Sequence, residues 1–139
     1  MVKKTLTYTD YNDVERTEDF YFNISKAELM EMETQESGGF SEYLKRIIAA
    51  QDIPQLMRVF KRVIMKAYGQ KSPDGKRFMK TPEILEEFIQ TEAYSNLYME
   101  LCTNAEVAAD FVNGVMPSDL QSMVPADQSD SPPSLLPMS

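Results

Sequence analysis

The sequence predicts a mainly helical α+β domain with a small N-terminal β-hairpin, followed by a disordered C-terminal tail. Three observations carry this prediction. Apolar residues alternate with polar ones near the N-terminus, they then recur at helical spacing as far as residue 112, and the composition changes after residue 116. The helical domain is therefore assigned to residues 1–116 and the disordered tail to residues 117–139.

The first two elements are predicted to be the strands of an antiparallel hairpin, at residues 4–9 and 16–24. Phe20, Phe22 and Ile24 alternate with polar residues in the second strand, which is typical of a strand with one buried face. The segment between the strands is rich in turn-forming side chains, namely Asp10, Asn12 and Asp13. Because a two-stranded ribbon is marginally stable alone, we expect its aromatic face to pack on the helices.

Six helices are predicted from the apolar spacing and from capping residues at their N-termini. Two of these caps have the spacing of a capping box, Ser25 with Glu28 and Thr103 with Glu106. The other expected caps are Asp52, Thr81 and Thr91. With these caps, the helices start after Ser25, near residue 40, after Asp52, after Thr81, after Thr91 and after Thr103.

Glycine and proline residues are expected to end two of these helices and to shape the turn between helices three and four. Gly69 is the predicted C-terminal cap of the third helix, and Gly114 ends the sixth. The motif at residues 72–75 predicts a tight turn whose flanks, 70–71 and 76–80, pair briefly. The Pro- and Ser-rich segment at 117–139 has no basic or aromatic residue, which predicts disorder.

The composition argues against an assembled catalytic site. There is no histidine, and Cys102 is the single cysteine, so the commonest general base, Cys/His zinc sites and an internal disulfide are all excluded. Two acidic clusters are interpreted as solvated helix faces, with a divalent-metal site as the alternative; they contain Glu31, Glu33 and Glu36, and Glu83, Glu86 and Glu87. No cofactor is predicted, and the absence of an apolar run of membrane length predicts an intracellular protein.

The net charge of −8 is unevenly distributed along the chain. Residues 58–80 hold eight bases and one acid, whereas residues 83–114 hold seven acids and no base. Three interpretations stay open: solvated faces, pairing of the two segments within one chain or head-to-tail between copies, and a nucleic-acid surface with Tyr68 and Phe78 as stacking platforms. The candidate partner-binding residues are Arg58, Lys61, Arg62, Lys66, Asp74, Gly75, Lys76 and Arg77.

Ten methionines are many for a chain of 139 residues. Their expected role is to fill gaps in the core, and the alternative is an adaptable surface for flexible or partly folded partners. Six of them lie on predicted ordered segments: Met30, Met32, Met57, Met65, Met79 and Met99.

Several segments together resemble the tail assembly chaperones of tailed phages and prophages of Gram-positive hosts. The resemblance covers roughly residues 3–120 and contains no catalytic signature. The segments that carry it are Lys4–Asn12, Glu18–Asn23, Lys26–Leu29, Lys66–Gly69, Lys71–Phe78, Thr91–Tyr94 and Phe111–Gly114.

This resemblance implies a partner and a place of action. Such chaperones are encoded upstream of the tape measure protein and bind it in the host bacterial cytoplasm, with the tail tube protein as a second potential partner. Many also have a longer product made by ribosomal frameshifting, and the family is absent from the mature virion. The alternatives are a small structural or connector protein of the virion, and a nucleic-acid-associated regulator that uses the basic 58–80 face.

Overall fold

The computed structural model describes residues 1–35 and 38–117, and within these ranges the chain forms six helices and four strands. In chain order they are β1 (Val2–Thr9), β2 (Glu15–Phe22), α1 (Lys26–Glu33), α2 (Phe40–Ala50), α3 (Ile53–Ala67), β3 (Tyr68–Lys71), β4 (Phe78–Met79), α4 (Pro82–Ile89), α5 (Glu92–Thr103) and α6 (Ala105–Val115). The predicted mainly helical α+β class is confirmed. The predicted disorder of 118–139 lies outside the described residues, so the tail and the domain boundary stay predictions.

The sheet is larger than the predicted hairpin, because all four strands join in the order β1-β2-β3-β4. β1 and β2 pair antiparallel along their whole length, with Val2 opposite Phe22. β3 continues directly from α3 and pairs with the end of β2, with Tyr68 opposite Phe22. β4 pairs with β3, as expected for the flanks of the 72–75 turn, and places Gln70 opposite Met79.

One face of the hairpin is buried against the helices, as the alternation predicts. Leu6 and Tyr8 of β1 are buried on the same side as Phe22 of β2, and Ile24 just beyond β2 is buried as well. The Ile24 amide donates to the Val115 carbonyl at 3.0 Å, which fixes the end of the hairpin to the end of α6. The hairpin is therefore stabilised by the helical layer rather than by its own two strands.

Four helix N-termini are capped by the predicted residues. Ser25 Oγ accepts from the Glu28 amide at 3.2 Å, and Glu28 Oε1 accepts from the Ser25 amide at 2.9 Å, which completes the capping box of α1. In α3, α4 and α5 the cap accepts from the amide three residues further on; the caps are Asp52, Thr81 and Thr91. These hydrogen bonds are local, so the sequence spacing was enough to identify them.

The predicted start of α6 is wrong by one residue. Thr103 is the last residue of α5, and its hydroxyl donates to the Met99 carbonyl at 2.7 Å instead of capping α6. Asn104 caps α6, because its Oδ1 accepts from the Val107 amide at 3.1 Å. Threonine and asparagine both favour this position, so composition does not decide between adjacent candidates.

The predicted role of Gly69 is also wrong. α3 ends at Ala67, and the chain passes straight into β3 without the left-handed residue that a glycine cap requires. Gly69 instead permits the close approach of β4. A Cβ at this position would lie 2.7 Å from the Phe78 ring and 2.8 Å from the Met79 carbonyl oxygen.

The N-terminus of α2 is capped from another helix. Its N-cap residue, Gly39, has no side chain, but Glu33 at the end of α1 replaces it. Glu33 Oε1 accepts from the Ser41 amide at 2.9 Å, and Oε2 accepts from the Ser41 hydroxyl at 3.2 Å. Glu33 is thus a structural acceptor that ties α1 to α2, and its interpretation as part of a solvated acidic face is wrong.

Lys80 connects α1, the end of α3 and the segment that follows β2. Its Nζ donates to the Asn23 carbonyl at 2.6 Å, to Glu28 Oε1 at 2.7 Å and to the Lys66 carbonyl at 2.8 Å. Burial lowers the pKa of Lys80 below its ordinary value, against the opposing effect of Glu28. One of the eight bases in the 58–80 segment therefore points into the fold and is unavailable to a partner.

Acidification below about pH 4.5 should destabilise the protein partly through Glu28. Burial acts to raise the pKa of Glu28, but hydrogen bonds from Lys80 and Ser25 outweigh it and leave the pKa below its ordinary value of 4.5. A carboxyl with a lowered folded-state pKa stabilises the protein above its unfolded value and loses this contribution as the pH falls through the folded value.

The test is urea denaturation of Glu28→Gln between about pH 3 and about pH 7, where the variant should show a shallower loss of stability with falling pH. Glutamine keeps an oxygen that accepts from Lys80 and Ser25 but cannot titrate. The matched control is Glu86→Gln on the exposed face of α4. Equal pH dependence in the two variants would contradict this role for Glu28.

Candidate partner-binding surface

The exposed side of α3 carries bases and methionines, as the helical spacing predicts. Its buried residues lie at the spacing of one helix face; they are Leu56, Val59, Phe60, Val63, Ile64 and Ala67. Arg58 and Lys61 lie on the opposite side and are exposed. Met57 and Met65 flank them and are 44% and 37% exposed. This side of α3 is therefore a basic surface with flexible apolar side chains at its borders.

The other two predicted bases of α3 are less available than Arg58 and Lys61. The Arg62 guanidinium lies 5.1 Å from the centre of the Phe40 ring, which fixes it over the start of α2. Lys66 is only partly exposed, and its carbonyl accepts the hydrogen bond from Lys80. The structure places all four bases on α3, but Arg58 and Lys61 are the best presented.

The 72–77 turn presents two further bases on an ordered backbone. Ser72 is buried and holds the turn together, because its hydroxyl donates to Asp74 Oδ1 at 2.6 Å and accepts from the Arg77 amide at 3.1 Å. The Asp74 carboxylate also accepts from the Lys76 amide at 3.0 Å. Gly75 has a φ of 77°, a conformation that favours glycine. The Lys76 and Arg77 side chains are exposed at the tip.

Asp74 therefore orders the turn that presents the bases. The hydrogen bonds from the Ser72 hydroxyl and the Lys76 amide hold the pKa of Asp74 below its ordinary value. The carboxylate is ionised at neutral pH and is satisfied by its own turn. Of the predicted residues in this segment, Lys76 and Arg77 can contact a partner, whereas Asp74 and Gly75 set their position.

The structure bears on two of the interpretations of the basic segment. Among residues 1–35 and 38–117, no ion pair joins Arg58, Lys61 or Lys66 to the acids of the 83–114 segment. Tyr68, proposed as a stacking platform for nucleic acid, is buried and stacks on Phe88 with 4.2 Å between ring centres. The Tyr68 ring is therefore not available to stack on a nucleobase, and that part of the nucleic-acid interpretation is wrong.

The structure exposes apolar side chains that the sequence interpretation assigned to the core. Met30, Met57, Met65 and Met99 are exposed, and of the six methionines named above only Met32 is buried. Gap-filling is therefore wrong for these four, and the alternative of an adaptable surface describes them better. Met30, Met57 and Met65 each lie three or four residues from a charged side chain on the same helix, and this spacing was the available sequence signal.

The sequence interpretation missed two more surface features. Tyr11 and Val14, at the tip of the β1–β2 hairpin, are 76% and 51% exposed. A cleft of about 240 Å³ opens where the ends of α2 and α5 meet the starts of α3 and α6, with Ile53, Leu56 and Cys102 in its lining. The sequence signal for the exposed hairpin tip was the presence of two apolar residues within an acidic turn. The cleft had no such signal, because it is formed by contacts between elements far apart in the sequence.

The described residues give no indication of a metal centre or a membrane span. Within 1–35 and 38–117 no three Cys, Asp or Glu side chains are grouped as metal ligands would be. No helix in the same ranges has the length and apolar character needed to cross a bilayer. Cys102 is buried and burial raises the pKa of its thiol, which lowers the thiolate fraction at neutral pH.

An ordered α+β domain with an exposed basic helix, adaptable methionines and a surface cleft has the properties of a protein-binding module. A comparison with known protein families gives the class of protein to which this chain belongs. The sequence model of a family described as phage tail assembly chaperone matches residues 1–136, and the chain belongs to this family. No protein of curated function and no solved structure matches the chain significantly.

Family membership confirms the resemblance found in the sequence, except that the type of host is not tested by it. It also fixes the general role, because tail assembly chaperones act during assembly and their role is non-catalytic. Tail proteins are consequently the class of partner.

Proposed function

We propose that this chaperone binds the tape measure protein and keeps it soluble before and during assembly of the tail tube. The observation that supports the proposal most is the family match over residues 1–136. The exposed methionines on α1, α3 and α5 fit this role, because flexible thioether side chains adapt to many apolar sequences along a long partner. Contact with the tail tube protein is a second part of the same proposal.

We assign the contact to the basic surface of α3 and to the 72–77 turn. The residues of this surface are Arg58, Lys61, Arg62, Lys66, Asp74, Gly75, Lys76 and Arg77. Exposed bases attract acidic stretches of a partner and raise the rate of encounter, while the neighbouring methionines supply the apolar contact. The turn is ordered by Ser72 and Asp74, so little conformational freedom is lost when it binds.

Charge reversal in the turn should weaken capture of the tape measure protein. Lys76→Glu with Arg77→Glu replaces two exposed bases without removing the Ser72 and Asp74 hydrogen bonds, so the fold should be kept. We expect an affinity about tenfold lower, because like charges then face an acidic partner, and the loss should shrink as the salt concentration rises. Binding is measured by pulldown and titration with the tape measure protein encoded with the chain.

The matched control for this prediction carries the same change of charge elsewhere. Lys3→Glu with Lys45→Glu alters β1 and α2, outside the assigned surface. This control should bind as the unaltered chain does. Equal loss in both variants would show a nonspecific effect of net charge, and no loss in either would remove the turn from the binding surface.

The chaperone is further proposed to act without catalysis in the host cytoplasm and to be absent from the mature virion. Mass spectrometry of purified virions tests the last point directly. A chaperone leaves before the tail is complete, so its peptides should be missing from virions that contain the tail tube protein. A stoichiometric amount in the virion would instead indicate a connector or other structural protein.

Self-association is the remaining part of the proposal. A chaperone that covers a long partner needs several copies, and a head-to-tail contact repeats without limit or closes into a ring. The chain has bases on α3 and exposed acids on α4 and α6, so unlike surfaces are present on one copy. The acids in question are Glu83, Glu86, Glu87, Glu106 and Asp110.

A further inference from the structure

We propose that the tip of the β1–β2 hairpin of one copy docks onto the cleft and the adjoining basic face of α3 in the next copy. The tip is residues 10–16, and the receiving surface is Ile53, Met57, Arg58, Lys61 and the cleft beside them. Where copies are joined in this way, Arg58 and Lys61 belong to the contact between copies, and the 72–77 turn is left for the tape measure protein. The inference rests on the proposed function, because the contact between copies would arrange several chaperones along one tape measure protein. Its evidence is the shape, exposure and charge of two separate surfaces.

The tip is held in one conformation by its own hydrogen bonds. Asp10 Oδ1 accepts from the amides of Asn12 and Val14 at 2.8 and 3.0 Å. Its Oδ2 accepts from Arg16 Nε at 2.6 Å, and the Asp10 amide donates to the Val14 carbonyl at 2.9 Å. Asp13 completes the turn with a φ of 63°. An ordered turn of this kind loses little conformational entropy when it binds.

This ordered turn holds apolar groups out in the solvent. The Tyr11 ring is 76% exposed, and its hydroxyl donates to Glu92 Oε2 at 2.8 Å, which fixes the ring where it stands. Val14 is 51% exposed in the same turn. A rigid, exposed tyrosine beside an aliphatic side chain is typical of the anchor of a protein interface. The tip is also acidic, with three acids against one base in residues 10–16.

The receiving surface has the opposite character. Ile53 is 47% exposed at the mouth of the cleft, and Met57, one turn further along α3, is 44% exposed. Tyr98 borders this surface, since its hydroxyl donates to the Met57 carbonyl at 2.8 Å. Arg58 and Lys61 lie beside these apolar groups and are exposed. An apolar patch bordered by bases complements an apolar tip surrounded by acids.

The two surfaces lie at opposite ends of α5, so one copy cannot satisfy both by itself. Tyr11 contacts Glu92 at the start of α5, whereas the cleft is lined by Leu101 and Cys102 near its end. α5 has 12 residues, which corresponds to a length of about 18 Å. Unlike surfaces at opposite ends of a molecule produce a head-to-tail contact that repeats from copy to copy.

The proposal differs from pairing of the 58–80 and 83–114 segments in the acids that it uses. Glu83 and Glu87 are exposed on α4, but no large exposed apolar side chain of α4 accompanies them. A charge pair at an exposed surface contributes little to affinity. The hairpin tip brings acids and apolar groups together, which is why the observations favour it as the occupant of the cleft.

Reciprocal charge exchange tests the contact. The tip variant is Asp13→Asn with Glu15→Lys, where asparagine is chosen because it tolerates the positive φ. The receiving variant is Arg58→Glu with Lys61→Glu. In sedimentation velocity at low salt, the unaltered chain should form concentration-dependent species larger than a monomer, and each variant alone should associate about tenfold or more weakly.

Mixing the two variants should restore the larger species, because the basic tip of one then meets the acidic surface of the other. The control Glu83→Gln with Glu87→Lys has the same change of charge as the tip variant and should associate normally. Tyr11→Ser should weaken association without altering any charge. Circular dichroism of each variant verifies that the fold is kept.

Four results would overturn the proposal. They are a monomeric unaltered chain at every concentration, a tip variant that associates normally, a mixture that stays monomeric, and a control that is as impaired as the tip variant. A pulldown of the tape measure protein with the tip variant, whose changes lie outside the surface assigned to that protein, separates this inference from the proposed function. Loss of capture with self-association intact would assign the tip to the partner instead, whereas self-association without any capture would refute only the proposed function.

Discussion

Replacing Lys80 with methionine should lower the free energy of unfolding by about 3 kcal/mol. The ammonium group donates to a carboxylate and two backbone carbonyls, all within 2.8 Å. Methionine fills much of the same volume but donates nothing. The Glu28 carboxylate then loses its cation, and the carbonyls of Asn23 and Lys66 lose a donor in a partly buried location.

The size of this effect follows from the partial exposure of the pair. The Lys80 and Glu28 side chains are 21% and 25% exposed, so water screens some of the interaction. Breaking a fully buried pair costs about 3–5 kcal/mol, and exposure places this case at the lower end. Stabilities of small domains are about 5–15 kcal/mol, so the variant should still fold with a clearly lower melting temperature.

Urea denaturation measures the difference, with Lys76→Met as the matched control. Lys76 is exposed at the tip of the 72–77 turn, and the side chain has no comparable network, so its replacement should change stability by about 0.5 kcal/mol or less. If Lys80→Met and Lys76→Met were equally stable, the three hydrogen bonds of Lys80 would contribute nothing net to the fold.

Lys80 also shows which features of the fold the sequence could predict. The caps at Asp52, Thr81 and Thr91 bond to amides three residues away, so residue type and spacing contain the whole interaction. The partners of Lys80 lie 57, 52 and 14 residues away in the chain. A contact of that kind depends on how helices and strands pack, and a local pattern does not contain it.

The same distinction applies to the candidate binding surface. Helical period alone placed Arg58 and Lys61 opposite the buried side of α3, and the structure agrees. It did not show that Arg62 lies over Phe40, nor that β3 joins the hairpin and buries Tyr68. Both depend on pairs of elements far apart in sequence, and both change which side chains remain available to a partner.

Replacing Phe22 with alanine should cause the largest loss of stability, about 3–5 kcal/mol. Phe22 has no exposed surface, and its ring meets three others: the centre-to-centre distances are 5.6 Å to Tyr68, 5.8 Å to Phe88 and 5.3 Å to Phe111. These rings belong to β3, α4 and α6, so one side chain connects the sheet to two helices. Alanine would leave a cavity that rigid backbone elements on several sides cannot fill.

The adjacent residue on the same strand provides the control. Tyr21 points to the other face of β2, is only partly buried, and has the Lys71 ammonium 4.4 Å from its ring centre. Such a cation–π contact near the surface contributes about 0.5–1 kcal/mol, so Tyr21→Ala should be mild. Thermal and urea unfolding of both variants would measure the difference. Similar losses would mean that burial does not alternate along β2, and that the aromatic cluster around Phe22 does not hold the hairpin on the helices.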